Sequence, residues 1–123
     1  MNKLIVSVVG AVVLSALAGC SSVSAVTKER VARSETSVQQ AQQTVGTSEA
    51  GAVELQQAKQ KLEAAQNELS KKNGTSAERF ASQAQLTAEL AVAKSQSAQA
   101  RKAADELLAS IETLRQEAAR GTR

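Results

Sequence analysis

The 123-residue chain has no proline, histidine, tryptophan or tyrosine, and one residue each of cysteine, phenylalanine and methionine. Without histidine, and with a single thiol, it lacks the usual set for acid–base catalysis or a metal centre, so no enzyme activity and no metal are expected. One cysteine closes no internal disulfide. With Phe80 as its only aromatic and no basic block, the chain offers no stacking platform, and a nucleic-acid partner is not expected. The hydrophobic share is 42% but the aromatic share is 1%. The apolar content is therefore mostly alanine and valine, enough for one small domain or one elongated element rather than two cored domains. Net charge is +3 with both signs interspersed. That balance selects neither an anionic nor a cationic partner.

What is present is helix-forming sequence. Alanine, glutamine, glutamate, lysine, leucine and serine dominate after residue 26. Val31, Val38 and Val45 recur every seven residues with Ala41 between, predicting a first helix over 26–45. GTSEAG at 46–51 carries two glycines, each costing about 1 kcal/mol in a helix interior, so a break or bend is expected. Leu55, Ala58, Leu62, Ala65 and Leu69 then alternate three and four apart, the seam of a coiled coil. Asn73 and Gly74 tolerate positive φ, and Thr75 with Glu78 has the spacing of a capping box. These four residues predict a tight hairpin turn into a third helix, uninterrupted from Ser76 to Gly121 and roughly 65 Å long.

The third helix carries two seams. Phe80, Ala81, Ala84, Ala88 and Ala91 form one near the turn. Leu86, Leu90, Ala93, Ser97, Ala100, Ala104, Leu107, Ile111, Leu114 and Ala118 form the other. The turn pairs Leu69 with Phe80 and Leu55 with the region of Ala91. The predicted fold is all-α: an elongated, coiled-coil-like antiparallel hairpin. Helices one and two are roughly collinear in it, so that Val45, Val38 and Val31 cover Leu107, Ile111 and Leu114. Two alternatives stay open: the first helix folds back as a three-helix arrangement, or the second seam serves a homo-oligomer.

The start of the chain has a different character. Lys3 supplies a short positive region, and Leu4 to Leu14 is an apolar run shorter than the roughly 20 residues of a spanning helix. Leu17-Ala18-Gly19-Cys20 resembles the lipobox of bacterial lipoproteins. The resemblance implies that signal peptidase recognises Leu17, Ala18 and Gly19 and cuts before Cys20. It also implies a diacylglycerol on the thiol and an N-acyl chain on the new amino group, with no other cofactor. Several acyl chains anchor stably where one holds marginally. A secretory signal with an incidental cysteine, or a retained anchor, is the plainer alternative. Ser21 stands where enterobacterial lipoproteins kept in the inner membrane have aspartate. The likeness thus implies the periplasmic face of the outer membrane of a Gram-negative envelope. The expected division is a signal peptide (1–19), a lipidated tether (20–25), a helical hairpin domain (26–120) and a tail (121–123).

EAGAVELQQAKQKLEAAQNELSKKNGTSAERFASQAQLTAELAVAKSQSAQA resembles the bacterial lipoprotein family called domain of unknown function 4398. The matching positions are Glu54-Leu55, Ala58, Lys61-Leu62 and Ala65. Across the turn they are Ala77, Phe80-Ala81, Ala84, Ala88 and Leu90-Ala91. The resemblance runs over roughly residues 26–107. Members often carry proline where this chain has Ala52, and aspartate where it has Thr87. The family implies a periplasmic, outer-membrane-tethered helical hairpin and supplies no activity.

Individual clusters have modest readings. Arg101 and Lys102 precede Asp105-Glu106 by one turn, a spacing for ion pairs along one helix. Lys71-Lys72 suits a solvated helix end, or a contact with phosphate or cell-wall carboxylates. Gly46 and Gly51 fit a loop or a hinge. The last residue is Arg123, whereas small lipoproteins bonded to peptidoglycan end in lysine, so that bond is not expected. The expected role is a structural, lipid-anchored scaffold element of the cell envelope. The alternative is a binding module that docks to peptidoglycan or an envelope protein complex through the distal end of the hairpin.

Overall fold

A computed structural model describes residues 23–121, which form three helices: α1 (Ala25–Val45), α2 (Ala52–Ser70) and α3 (Gly74–Gly121). The expected signal peptide and its cleavage site, Leu17, Ala18, Gly19 and Cys20, lie outside the described residues.

α1 begins where Ser24, in extended backbone, accepts the Thr27 N–H on its hydroxyl at 3.1 Å. This is an N-cap that satisfies one of the free amides of the first turn. The helix stops at Gly46, whose φ of 53° departs from helical geometry. α2 starts immediately after Gly51, which sits in left-handed backbone at φ 87°. Its closing turn places Lys72 at φ 61°, with the Asn73 N–H donating to the Glu68 carbonyl at 2.9 Å. α3 then runs 48 residues, about 72 Å, without interruption.

The connections reverse the chain twice. Val31 shares a core cluster with Ala65, Ala77 and Ala81, bordered by Leu69 and Phe80. Val38, Ala41 and Val45 share the second cluster with Leu55, Ala58, Ala84, Ala88 and Ala91, with Leu62 and Val92 packed against it. α1 is therefore antiparallel to α2 and parallel to α3, and both shorter helices pack on α3. The all-α class and the α2–α3 hairpin pairing hold.

The collinear arrangement of the first two helices does not. Val31, Val38 and Val45 cover α2 and the first half of α3, not Leu107, Ile111 and Leu114. The physical reason is twofold. Gly46 and Gly51 adopt positive φ and turn the chain back between them. An alanine-rich hairpin also buries little apolar area per layer, and the folded-back valines of α1 supply more.

The start of α3 also differs in detail. Gly74 and Thr75 belong to the helix, and Asn73 is the residue before it. The Asn73 carbonyl accepts from Ala77 N at 3.0 Å, and its side-chain oxygen from Ser76 N at 3.5 Å. Lys72, not Asn73 or Gly74, takes the positive φ. The Thr75–Glu78 capping box is not formed: Thr75 lies inside the helix, Asn73 holds the cap position, and Thr27 and Arg30 of α1 engage the Glu78 carboxylate.

Beyond the bundle α3 continues alone. Every residue from Arg101 to Gly121 is exposed.

Candidate functional site

The two ends of the bundle have distinct chemistry. At the first, the N-terminus of α1 meets the α2–α3 turn. A side chain at Gly74 would stand 3.6 Å from Thr27 Oγ1 and 3.8 Å from Val23 Cγ1, so the chain enters the bundle beside this turn. The buried Thr27 hydroxyl donates to Glu78 Oε1 at 2.6 Å, and Arg30 reaches Glu78 Oε2 at 3.2 Å. Glu68 holds the turn itself, accepting from Lys71 at 3.0 Å and from the Asn73 amide at 2.7 Å. The Lys71 ammonium, and then the Asn73 amide, keep the Glu68 carboxyl below the usual carboxylate range.

At the second end Glu54, in the first turn of α2, pairs with Lys94 of α3. The Lys94 ammonium lowers the Glu54 carboxyl, and a backbone hydrogen bond adds to the effect. Gly51 sits against α3 so closely that a Cβ there would stand 2.3 Å from the Ala91 carbonyl oxygen. Between the ends Lys61 donates to Thr87 Oγ1 at 3.2 Å, joining α2 to α3. The buried Ser34 hydroxyl satisfies itself on the Val31 carbonyl at 2.7 Å.

The seam residues are distributed as follows. Ala58, Ala65, Ala84, Ala88 and Ala91 are fully buried, and Leu55 is nearly so. Leu62, Leu69 and Phe80 border the core and remain partly exposed. The second seam of α3 is brought to nothing: Leu86, Leu90, Leu107, Ile111 and Leu114 are all exposed. Asp105 and Glu106 stand on the free part of α3, where Lys102 lies 3.9 Å from Glu106, a weak surface pair.

Among the described residues no cluster of three or more histidine, cysteine or acidic side chains has metal-binding geometry. No described helix is long and apolar enough to cross a membrane. The contacts that define the two ends, Thr27–Glu78, Glu54–Lys94 and Gly51–Ala91, had no spacing signal, because each joins two helices distant in sequence. Only the glycine at position 51 marked one of them.

The sequence matches the family described as Domain of unknown function (DUF4398) over residues 29–107. The match takes in most of α1, all of α2 and α3 as far as Leu107, so it covers the bundle and stops within the free part of α3. No curated protein and no solved structure matches the chain.

Proposed function

The chain belongs to the DUF4398 family, and from that premise we propose that it is a lipid-anchored scaffold of the bacterial envelope, held by acyl chains on Cys20 at the periplasmic face of the outer membrane. One structural relationship carries the reading: Val23 and Thr27 abut Gly74. Cys20 is three residues before Val23, a span of about 10 Å at most. Acyl chains on Cys20 would thus tether the chain at the α2–α3 turn end of the bundle, from which α3 leads away for about 72 Å. The molecule works as a spacer whose bundle stands next to the bilayer and whose bare helix reaches into the periplasm. Two or more acyl chains supply the stable attachment that one chain does not.

The same relationship argues against docking to peptidoglycan through Lys71 and Lys72. They lie at the tethered end, not the far one, and Lys71 is engaged by Glu68. Metabolic labelling with palmitate tests the anchor. The parent chain takes up label and sediments with outer membranes, and Cys20→Ala loses both properties. Equal labelling of the two chains would overturn the proposal. Retention of the unlipidated chain on purified murein would replace the spacer with a binding module.

A further inference from the structure

We propose that the exposed seam of α3 is the interface for a second copy of the chain, the two α3 helices lying parallel and in register. The seam is a separate face. The stripe that packs on α1 and α2 runs Ala77, Ala81, Ala84, Ala88, Ala91 and Ser95. Continued by the same spacing it reaches Ala98, Lys102 and Asp105, where it becomes polar. The apolar residues meanwhile move to another side. Leu86 is 66% exposed, Leu90 49%, Leu107 63%, Ile111 37% and Leu114 63%. Their spacing of four and three residues, completed by Ala93, Ser97, Ala100, Ala104 and Ala118, is that of a coiled-coil seam about 48 Å long.

The identities select both the number of strands and their direction. Leu90, Ser97, Ala104, Ile111 and Ala118 occupy the a positions, and Leu86, Ala93, Ala100, Leu107 and Leu114 the d positions. Ile111, β-branched at a between Leu107 and Leu114 at d, favours two strands where the helices run parallel. The flanking positions agree. In the parallel arrangement Glu89 faces Lys94 of the second copy, which also pairs with Glu54 of its own chain, Gln96 faces Arg101, Ala103 faces Leu108 and Ser110 faces Arg115, so no like charges oppose. The fully overlapped antiparallel arrangement instead sets Arg101 against its own copy and Glu89 against Glu117. Like charges so placed are repulsive.

The area is sufficient. Six large apolar side chains, Leu108 at 65% exposure among them, are open on each copy. At about 100 Å² for each side chain covered, they bury on the order of 1,200 Å² between two copies, the lower bound of a stable interface. The three small residues Ala93, Ser97 and Ala100 let the helices approach closely where the bundles end.

Cysteine scanning in the full chain, extracted in mild detergent and oxidised, tests the arrangement whether or not Cys20 is lipidated. The parent chain, with Cys20 its sole thiol, is the control. Leu107→Cys and Leu114→Cys are expected to give disulfide-linked dimers as the main species on a non-reducing gel. Lys102→Cys and Ala109→Cys, on the opposite face, give only the parent's background. In density-matched detergent the chain sediments as a dimer. Leu107→Asp combined with Leu114→Asp halves that mass while helix content persists, since both positions lie beyond the bundle. Equal crosslinking at all four sites, adducts with a protein of different mass, or a parent chain that stays monomeric at micromolar concentration would each overturn the proposal.

Discussion

The hydroxyl of Thr27 donates to the carboxylate of Glu78 at 2.6 Å, across 51 residues of chain. The contact sets the register of α1 against α3. Thr27 is buried; its backbone N–H donates to the Ser24 cap and its hydroxyl also meets the Ser24 hydroxyl at 2.8 Å, so one residue ties the N-cap to the inter-helix bond. Thr27→Val keeps the shape and removes both roles of the hydroxyl. The expected loss is about 1 kcal/mol, seen as a lower urea midpoint with an unchanged slope. Glu78→Ala also frees Arg30 and costs more. A double-mutant cycle between positions 27 and 78 that shows no coupling would mean the register is held elsewhere.

Gly51 tests the second chain reversal. Its φ of 87° disfavours any L side chain, and a Cβ would meet the Ala91 carbonyl oxygen at 2.3 Å. Backbone cannot yield there without parting α2 from α3. Gly51→Ala is expected to lose about 3 kcal/mol, from strained backbone and overpacking together. Gly46→Ala is the comparison. Its φ is also positive, but the nearest atom is Gln43 O at 3.8 Å, so about 1–2 kcal/mol of strain is the whole cost. Thermal melts of the two variants that coincide would show that the approach to Ala91 is not limiting.

Acid should loosen the bundle at both ends. The Glu54 and Glu68 carboxyls are each held below the usual range, by Lys94 and Lys71 respectively. A depressed folded-state value means that the unfolded chain binds more protons as the pH drops. The stabilisation is complete above the ordinary glutamate value of about 4.3 and is lost as the pH falls through the lower, folded-state values. Melting temperature is therefore expected to be flat from pH 8 to 6 and to decline below about pH 4.5. Glu54→Gln shows a shallower decline than the parent. An identical acid profile for the two chains would remove Glu54 from the account.

Local features were legible and long-range ones were not. The seven-residue repeat of Val31, Val38 and Val45 marked α1, and Leu55 to Leu69 marked α2 and its buried face. The same valine repeat fits a helix stacked end to end on α2 or folded back beside it. That choice rested on the φ values of Gly46 and Gly51 and on Thr27 reaching Glu78, none of which has a local signature. The α2–α3 turn shows the same division. Thr75 and Glu78 have capping-box spacing, yet Asn73 receives the first turn's amides and Glu78 is drawn to α1. The seam from Leu86 to Leu114 is periodic and apolar in the sequence, but that it is exposed follows from where α1 packs, which the sequence does not show.

The parallel course of α1 and α3 has a mechanical corollary. A pull applied between Val23 and Gly121 drags α1 lengthwise along α3 and cannot peel the two apart one layer at a time. Every valine-to-alanine layer from Val31 to Val45 bears tension simultaneously, so the bundle resists stretching as a lap joint does rather than as a zipper does.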